Sequence, residues 1–78
     1  MPTVQRIDGF RFFFFSNDEK EPVHIHVESD GNYAKFWLEP VQLATSVGYN
    51  AKELGNIRKL ITENSVTFKR RWDEFFSH

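Results

Sequence analysis

His24-Ile25-His26 is the stretch of this chain whose residue types could do chemistry. Histidines at i and i+2 fall on one side of a strand, because strand side chains alternate between faces. Imidazole changes charge near neutral pH and ligates transition metals. Three uses are therefore open. The pair could hold a metal, with Glu28 on the same face or Asp18 from the preceding loop as further ligands. It could act as general acid and base beside Lys35 and Tyr33, as in a ribonuclease, with the ammonium facing a developing anion. Or His24 and His26 could belong to a recognition surface of mixed polar and aromatic character.

The elements that must position these residues can be read from alternation and turn signals. Val23, Ile25 and Val27 share one face of a strand; His24, His26 and Glu28 share the other. Asp30-Gly31 is a type I′ hairpin signal. It pairs Glu28 with Tyr33, Val27 with Ala34, His26 with Lys35, Ile25 with Phe36 and His24 with Trp37. One face of this hairpin is then apolar core. The other carries His24, His26, Glu28, Tyr33, Lys35 and Trp37, and is the predicted binding surface. Lys35 opposite His26 disfavours a divalent cation there, so no metal or other cofactor is expected. Acid/base catalysis by His24, His26 and Lys35 stays as an alternative, as does a metal on the two histidines.

Upstream, Thr3 to Ile7 reads as a first strand and Phe10 to Phe15 as a second, joined at Asp8-Gly9. This register opposes Ile7 to Phe10, Arg6 to Arg11, Gln5 to Phe12 and Val4 to Phe13. Arg6 against Arg11 is a like-charge pair, which is unfavourable unless the arginines splay or an anion lies between them. Arg6 and Arg11 are thus a candidate anion contact. Phe10, Phe12 and Phe14 point one way, Phe13 and Phe15 the other. A strand apolar on both faces is usually covered on both, which predicts a second subunit or partner. Ser16 to Pro22 reads as a solvated polar loop, with Asp18 placed to close an Asx-turn.

Val41 to Ala44 is read as a short edge strand. Asn50 then opens a helix as N-cap, with Glu53 completing a capping box and Tyr49 and Leu54 a hydrophobic staple. Leu54, Ile57, Leu60 and Ile61 keep helical spacing, and the phase runs on through Phe68, Trp72, Phe75 and Phe76. One helix over 51–76 would be roughly 39 Å long, too long for so small a domain. A break is expected near Asn64-Ser65, since both residues prefer caps to helix interiors.

Composition narrows the class. Seventy-eight residues make one domain over 1–78, β-rich over 1–49 and helical over 50–78. The absence of Cys removes disulfides and thiolate metal sites. No apolar run is long enough to span a membrane, and the start lacks a signal-peptide pattern; a cytoplasmic protein is expected. Ten basic residues face eleven acidic ones. The first fifty residues carry four basic and seven acidic groups, which does not favour RNA or DNA. Lys69, Arg70 and Arg71, with Arg58 and Lys59, form a modest basic helix face that leaves a DNA-binding regulator as a further alternative.

F-R-F-F-F-F-S-N-D at 10–18, P-V-H-I-H-V at 22–27, A-K-F-W-L-E-P-V at 34–41 and W-D-E-F-F at 72–76 together resemble a prokaryotic family known only as domain of unknown function 4160. The family's loop commonly reads S-N-D-H and a proline pair before H-x-H. Here Glu19 stands in place of that His, and Glu21 precedes the lone Pro22. The resemblance implies a bacterial or archaeal protein whose gene often neighbours that of a second small protein, in an arrangement like toxin–antitoxin pairs.

The expectation is an α+β fold: a small antiparallel sheet of four or five strands with the C-terminal helical segment packed on one face. The expected function is non-enzymatic interaction, possible in a toxin–antitoxin-like pair, with a homo-oligomer or a small protein from a neighbouring gene as partner. A small nuclease or hydrolase using His24 and His26 is the first alternative.

Overall fold

A computed structural model describes residues 3–77 of the chain. Five strands, β1 (Thr3–Ile7), β2 (Phe10–Phe13), β3 (His24–Ser29), β4 (Asn32–Leu38) and β5 (Val41–Val47), precede two helices, α1 (Ala51–Glu63) and α2 (Ser65–Phe76). The strands form one antiparallel sheet in chain order, with β3 at its centre. The fold is α+β, as the alternation and the late helical period predict. No helix among the described residues is long and apolar enough to cross a membrane.

The turn residues set the register. Asp30 and Gly31 both adopt positive φ, as do Asp8 and Gly9, which a two-residue hairpin loop requires for its twist to match the strands. His26 lies opposite Lys35, Ile25 opposite Phe36 and Val27 opposite Ala34. A slip of one residue would turn Ile25 and Val27 to the other face. In the first hairpin the predicted pairs hold from Ile7 to Gln5, but Phe13 faces Thr3 rather than Val4. Val4 is the extra residue of a β-bulge, which no Gly or Pro announces. A second bulge makes Ala44 the extra residue where β5 pairs with β4, and β5 extends three residues beyond the predicted edge strand.

Arg6 does face Arg11, and a carboxylate does relieve them, but it is the protein's own. Arg11 Nη1 binds Glu28 Oε1 at 2.7 Å across β2–β3, and its Nε donates to Thr3 Oγ1. Its guanidinium also lies 4.5 Å from the Phe13 ring centre. The predicted anion contact is thus satisfied internally at Arg11.

The core lies between one sheet face and the helices. Phe12, Ile25, Val27, Ala34, Phe36 and Leu38 meet Ile57 and Ile61 of α1 and Phe68 of α2, all buried. α1 starts as predicted: Asn50 Oδ1 accepts from Glu53 N–H, and Glu53 Oε1 accepts from Asn50 N–H. It ends at Asn64, whose backbone N–H reaches the Leu60 and Ile61 carbonyls while its side chain bonds Leu60 O. α2 then starts at Ser65, so the apolar stripe bends back over the sheet. Gly55 sits inside α1 with open space where a Cβ would stand. Gly55→Ala should therefore stabilise the protein by about 0.4–1 kcal/mol, through helix propensity and a less mobile unfolded chain. A urea melt showing no gain, or a loss, would contradict this.

The second sheet face is not open. The loop from Phe14 to Val23, with a 3-10 turn at Asp18–Lys20, closes over it. Phe13 is fully covered there, stacked on His26 and edge-on to Phe15. On the helix side, Phe14 is covered by Trp72 and Phe76. The two-sided Phe strand therefore does not by itself require a second subunit, because this chain supplies both covers.

A buried Asp–His–His centre

β3 presents His24 and His26 to the closed face, and alternation makes them neighbours with ring centres 4.9 Å apart. The sequence reading places them on an exposed surface. In the structure His24 is 0% and His26 4% exposed. The reason is Asp18. Its 3-10 turn carries the carboxylate down onto the strand, where it is itself buried. Asp18 Oδ2 accepts from the Phe15 backbone N–H at 2.7 Å and lies 2.9 Å from His26 Nε2; Asp18 Oδ1 lies 3.1 Å from His24 Nε2. Asp18 forms no Asx-turn onto later residues. It reaches back to Phe15 and across to β3, tying both ends of the loop to the sheet.

Each imidazole has a hydrogen-bond partner at Nδ1. His24 Nδ1 donates to the Pro22 carbonyl at 2.8 Å, and His26 Nδ1 meets the Tyr33 hydroxyl at 2.7 Å. Burial pushes the His26 pKa below its ordinary value, and the Asp18 carboxylate offsets only part of that shift. Burial likewise raises the Tyr33 hydroxyl, with Asp18 adding to it.

Lys35 stands opposite His26 in register, yet its ammonium goes elsewhere. It pairs with Glu21 Oε1 and lies 4.5 Å over the Trp37 ring. That hydrogen bond, donated by Lys35 to a loop residue the sequence reading leaves in solvent, lowers the Glu21 pKa. Of the six predicted surface residues, His24 and His26 are buried, while Glu28, Tyr33, Lys35 and Trp37 are half-buried. Glu28 is engaged by Arg11 and Lys35 by Glu21. The structure thus joins His24, His26, Tyr33, Lys35 and Trp37 in one cluster with Asp18, the loop carboxylate weighed as a further ligand, and adds Glu21. S-N-D before H-x-H was the available signal for Asp18; a charge complementary to Lys35 was the signal for Glu21. The basic helix residues lie apart, with Lys69 paired to Glu39 and Arg71 to Glu74.

The family described as "Domain of unknown function (DUF4160)" matches residues 9–73. The chain belongs to the DUF4160 family. The DUF4160 match spans every residue of the buried centre, the whole sheet from β2 onward and most of α2. No match was found among curated proteins or among solved structures.

Proposed function

We propose that this DUF4160 chain is a non-enzymatic interaction domain that accepts a strand from a partner protein along the outer edge of β5. The observation that carries the reading is the character of that edge. V-Q-L-A-T-S-V at 41–47 is seven residues long and uncharged, and it ends the sheet. Gln42, Ala44, Thr45 and Val47 are exposed, Val47 by 63%. Edge strands that must stay unpaired are usually short or carry Lys or Pro. Among the described residues the bulge at Ala44 and the Arg58 guanidinium at the Val41 carbonyl are what interrupt the edge, and strand addition is a common mode of partner capture. The other edge, β1, is shorter and carries Arg6. A small protein encoded beside this one, as the resemblance implies, is the partner we expect.

The burial of His24 and His26 speaks against the hydrolase reading, since a general acid and base must reach the substrate. The carboxylates beside Lys69 and Arg71 likewise weaken the DNA-binding reading.

The test is co-expression with the neighbouring small protein. A complex should form with the wild type and be lost in Thr45→Lys, which places a charge on the edge. Amide exchange in the complex should slow over residues 41–47. A complex indifferent to Thr45→Lys, with protection elsewhere, would overturn the reading.

A further inference from the structure

One atom of the buried centre lacks what its surroundings require. His24 Nε2 is fully buried and has no hydrogen-bond partner among the described residues. Its protonation follows from the other side of the ring. Nδ1 faces the Pro22 carbonyl at 2.8 Å, and a carbonyl only accepts, so the proton of the neutral ring sits on Nδ1. Nε2 then carries a lone pair, 3.1 Å from the carboxylate oxygen Asp18 Oδ1. That distance alone makes an ion-pair approach, but the alignment makes no hydrogen bond. An imidazole lone pair and a carboxylate oxygen held this close inside a fold repel each other unless a cation lies between them.

We propose that Asp18, His24 and His26 bind one divalent transition-metal ion, zinc foremost, through the Asp18 carboxylate and the two Nε2 atoms. The three donor atoms lie within 4.8 Å of one another. Ligand atoms about 2.1 Å from a shared tetrahedral zinc stand about 3.4 Å apart. The Asp18 approaches, 3.1 Å at Oδ1 and 2.9 Å at Oδ2, lie near that value, while the widest donor separation, up to 4.8 Å, contracts as the rings turn toward the ion. Two imidazoles and one carboxylate suit zinc and its first-row neighbours; calcium and magnesium prefer all-oxygen cages.

The outer partners are those such a site needs. A metal-ligating imidazole usually donates its other N–H to a carbonyl, carboxylate or water, which fixes the ring and its tautomer. Pro22 O does this for His24. Tyr33 Oη can do it for His26: Nδ1–H donates to the hydroxyl oxygen while Nε2 turns its lone pair to the ion. Without metal the same contacts serve the other tautomer, Tyr33 O–H donating to Nδ1 and Nε2–H donating to Asp18. The fourth position is left to water, since Glu21 Oε1, 3.9 Å from His24 Nε2, is held by Lys35. Glu21 already neutralises Lys35, which answers the objection that this ammonium repels a cation. Access is through the loop itself, since Ser16, Asn17 and residues 19–22 are exposed. The competing occupant of the gap is a proton, which would make His24 an imidazolium paired with Asp18.

The proposal does not rest on the strand-addition reading. Its test uses the full chain without an affinity tag, stripped with a chelator and titrated with zinc, then cobalt. At a hundredfold excess over Kd, zinc should raise Tm by roughly 10–20 °C. Cobalt should bind at one equivalent and give visible absorption bands. Asp18→Asn is the deciding variant. Its amide oxygen can still accept from Phe15 N–H and His26 Nε2–H, and its NH₂ can donate to the His24 lone pair. It should fold in chelator and lose both metal responses. His24→Ala should lose them as well. A wild type indifferent to zinc, cobalt, nickel and iron(II) would overturn the proposal and leave the proton as occupant. A metal response unchanged in Asp18→Asn would overturn it too, because the ion would sit elsewhere on the chain.

Discussion

Phe12→Ala should lower the stability of this protein by about 3–5 kcal/mol, the range for deleting a buried aromatic side chain. Phe12 is fully buried, on the sheet face that meets the helices, with its ring centre 5.1 Å from that of Phe68. Its removal opens a gap between β2 and α2 that neither rigid element can collapse to fill. Domains of this length are typically stable by about 4–12 kcal/mol, so the variant should be marginal or unfolded at room temperature. Phe75, 40% exposed at the outer end of α2, is the control, and Phe75→Ala should cost under about 1 kcal/mol. Urea unfolding followed by circular dichroism checks both. Similar costs at the two positions would contradict the assignment of the core.

Asp18→Ala should cost about 2–5 kcal/mol in chelator-treated protein. The carboxylate takes hydrogen bonds from Phe15 N–H and from His26. Leaving a buried donor without its acceptor costs about 1–3 kcal/mol each. Asp18→Asn keeps an acceptor for both and should stay near wild-type stability under the same conditions. Glu19→Ala, one residue along on an exposed side chain, should matter less than Asp18→Ala. If Asp18→Ala and Asp18→Asn melt together, the loop is not held in the way the geometry describes.

Much of the fold was legible because its signals are local. Two Asp-Gly pairs and strict alternation on β3 and β4 determine the hairpin register without any tertiary information. The capping box at Asn50 and Glu53 and the cap-forming Asn64 mark the helix ends in the same way. The bulges at Val4 and Ala44 were not legible, because each answers to the pairing of two strands rather than to a residue type. The burial of the histidines was hidden for a related reason. Ser16 to Pro22 has no period and looks solvated, yet one carboxylate in it, Asp18, finds two imidazoles across the sheet. Lys35 shows the limit of register itself: it stands opposite His26, but its long side chain delivers the charge to Glu21 and Trp37.

The order of the elements has a consequence for how the chain is made. Every strand pairs with its neighbour in sequence, so the contacts of the sheet are local and can form quickly, one hairpin after another. The cover arrives later. Ile57, Ile61 and Phe68 come after all five strands. During synthesis there is thus an interval when a finished sheet shows Phe12, Ile25, Val27 and Phe36 to the cell with nothing of its own to place on them. Such surfaces are where newly made chains stick together. Translation speed between Val47 and Phe68, and the chaperones present during it, should govern soluble yield more strongly than the equilibrium stability of the finished protein.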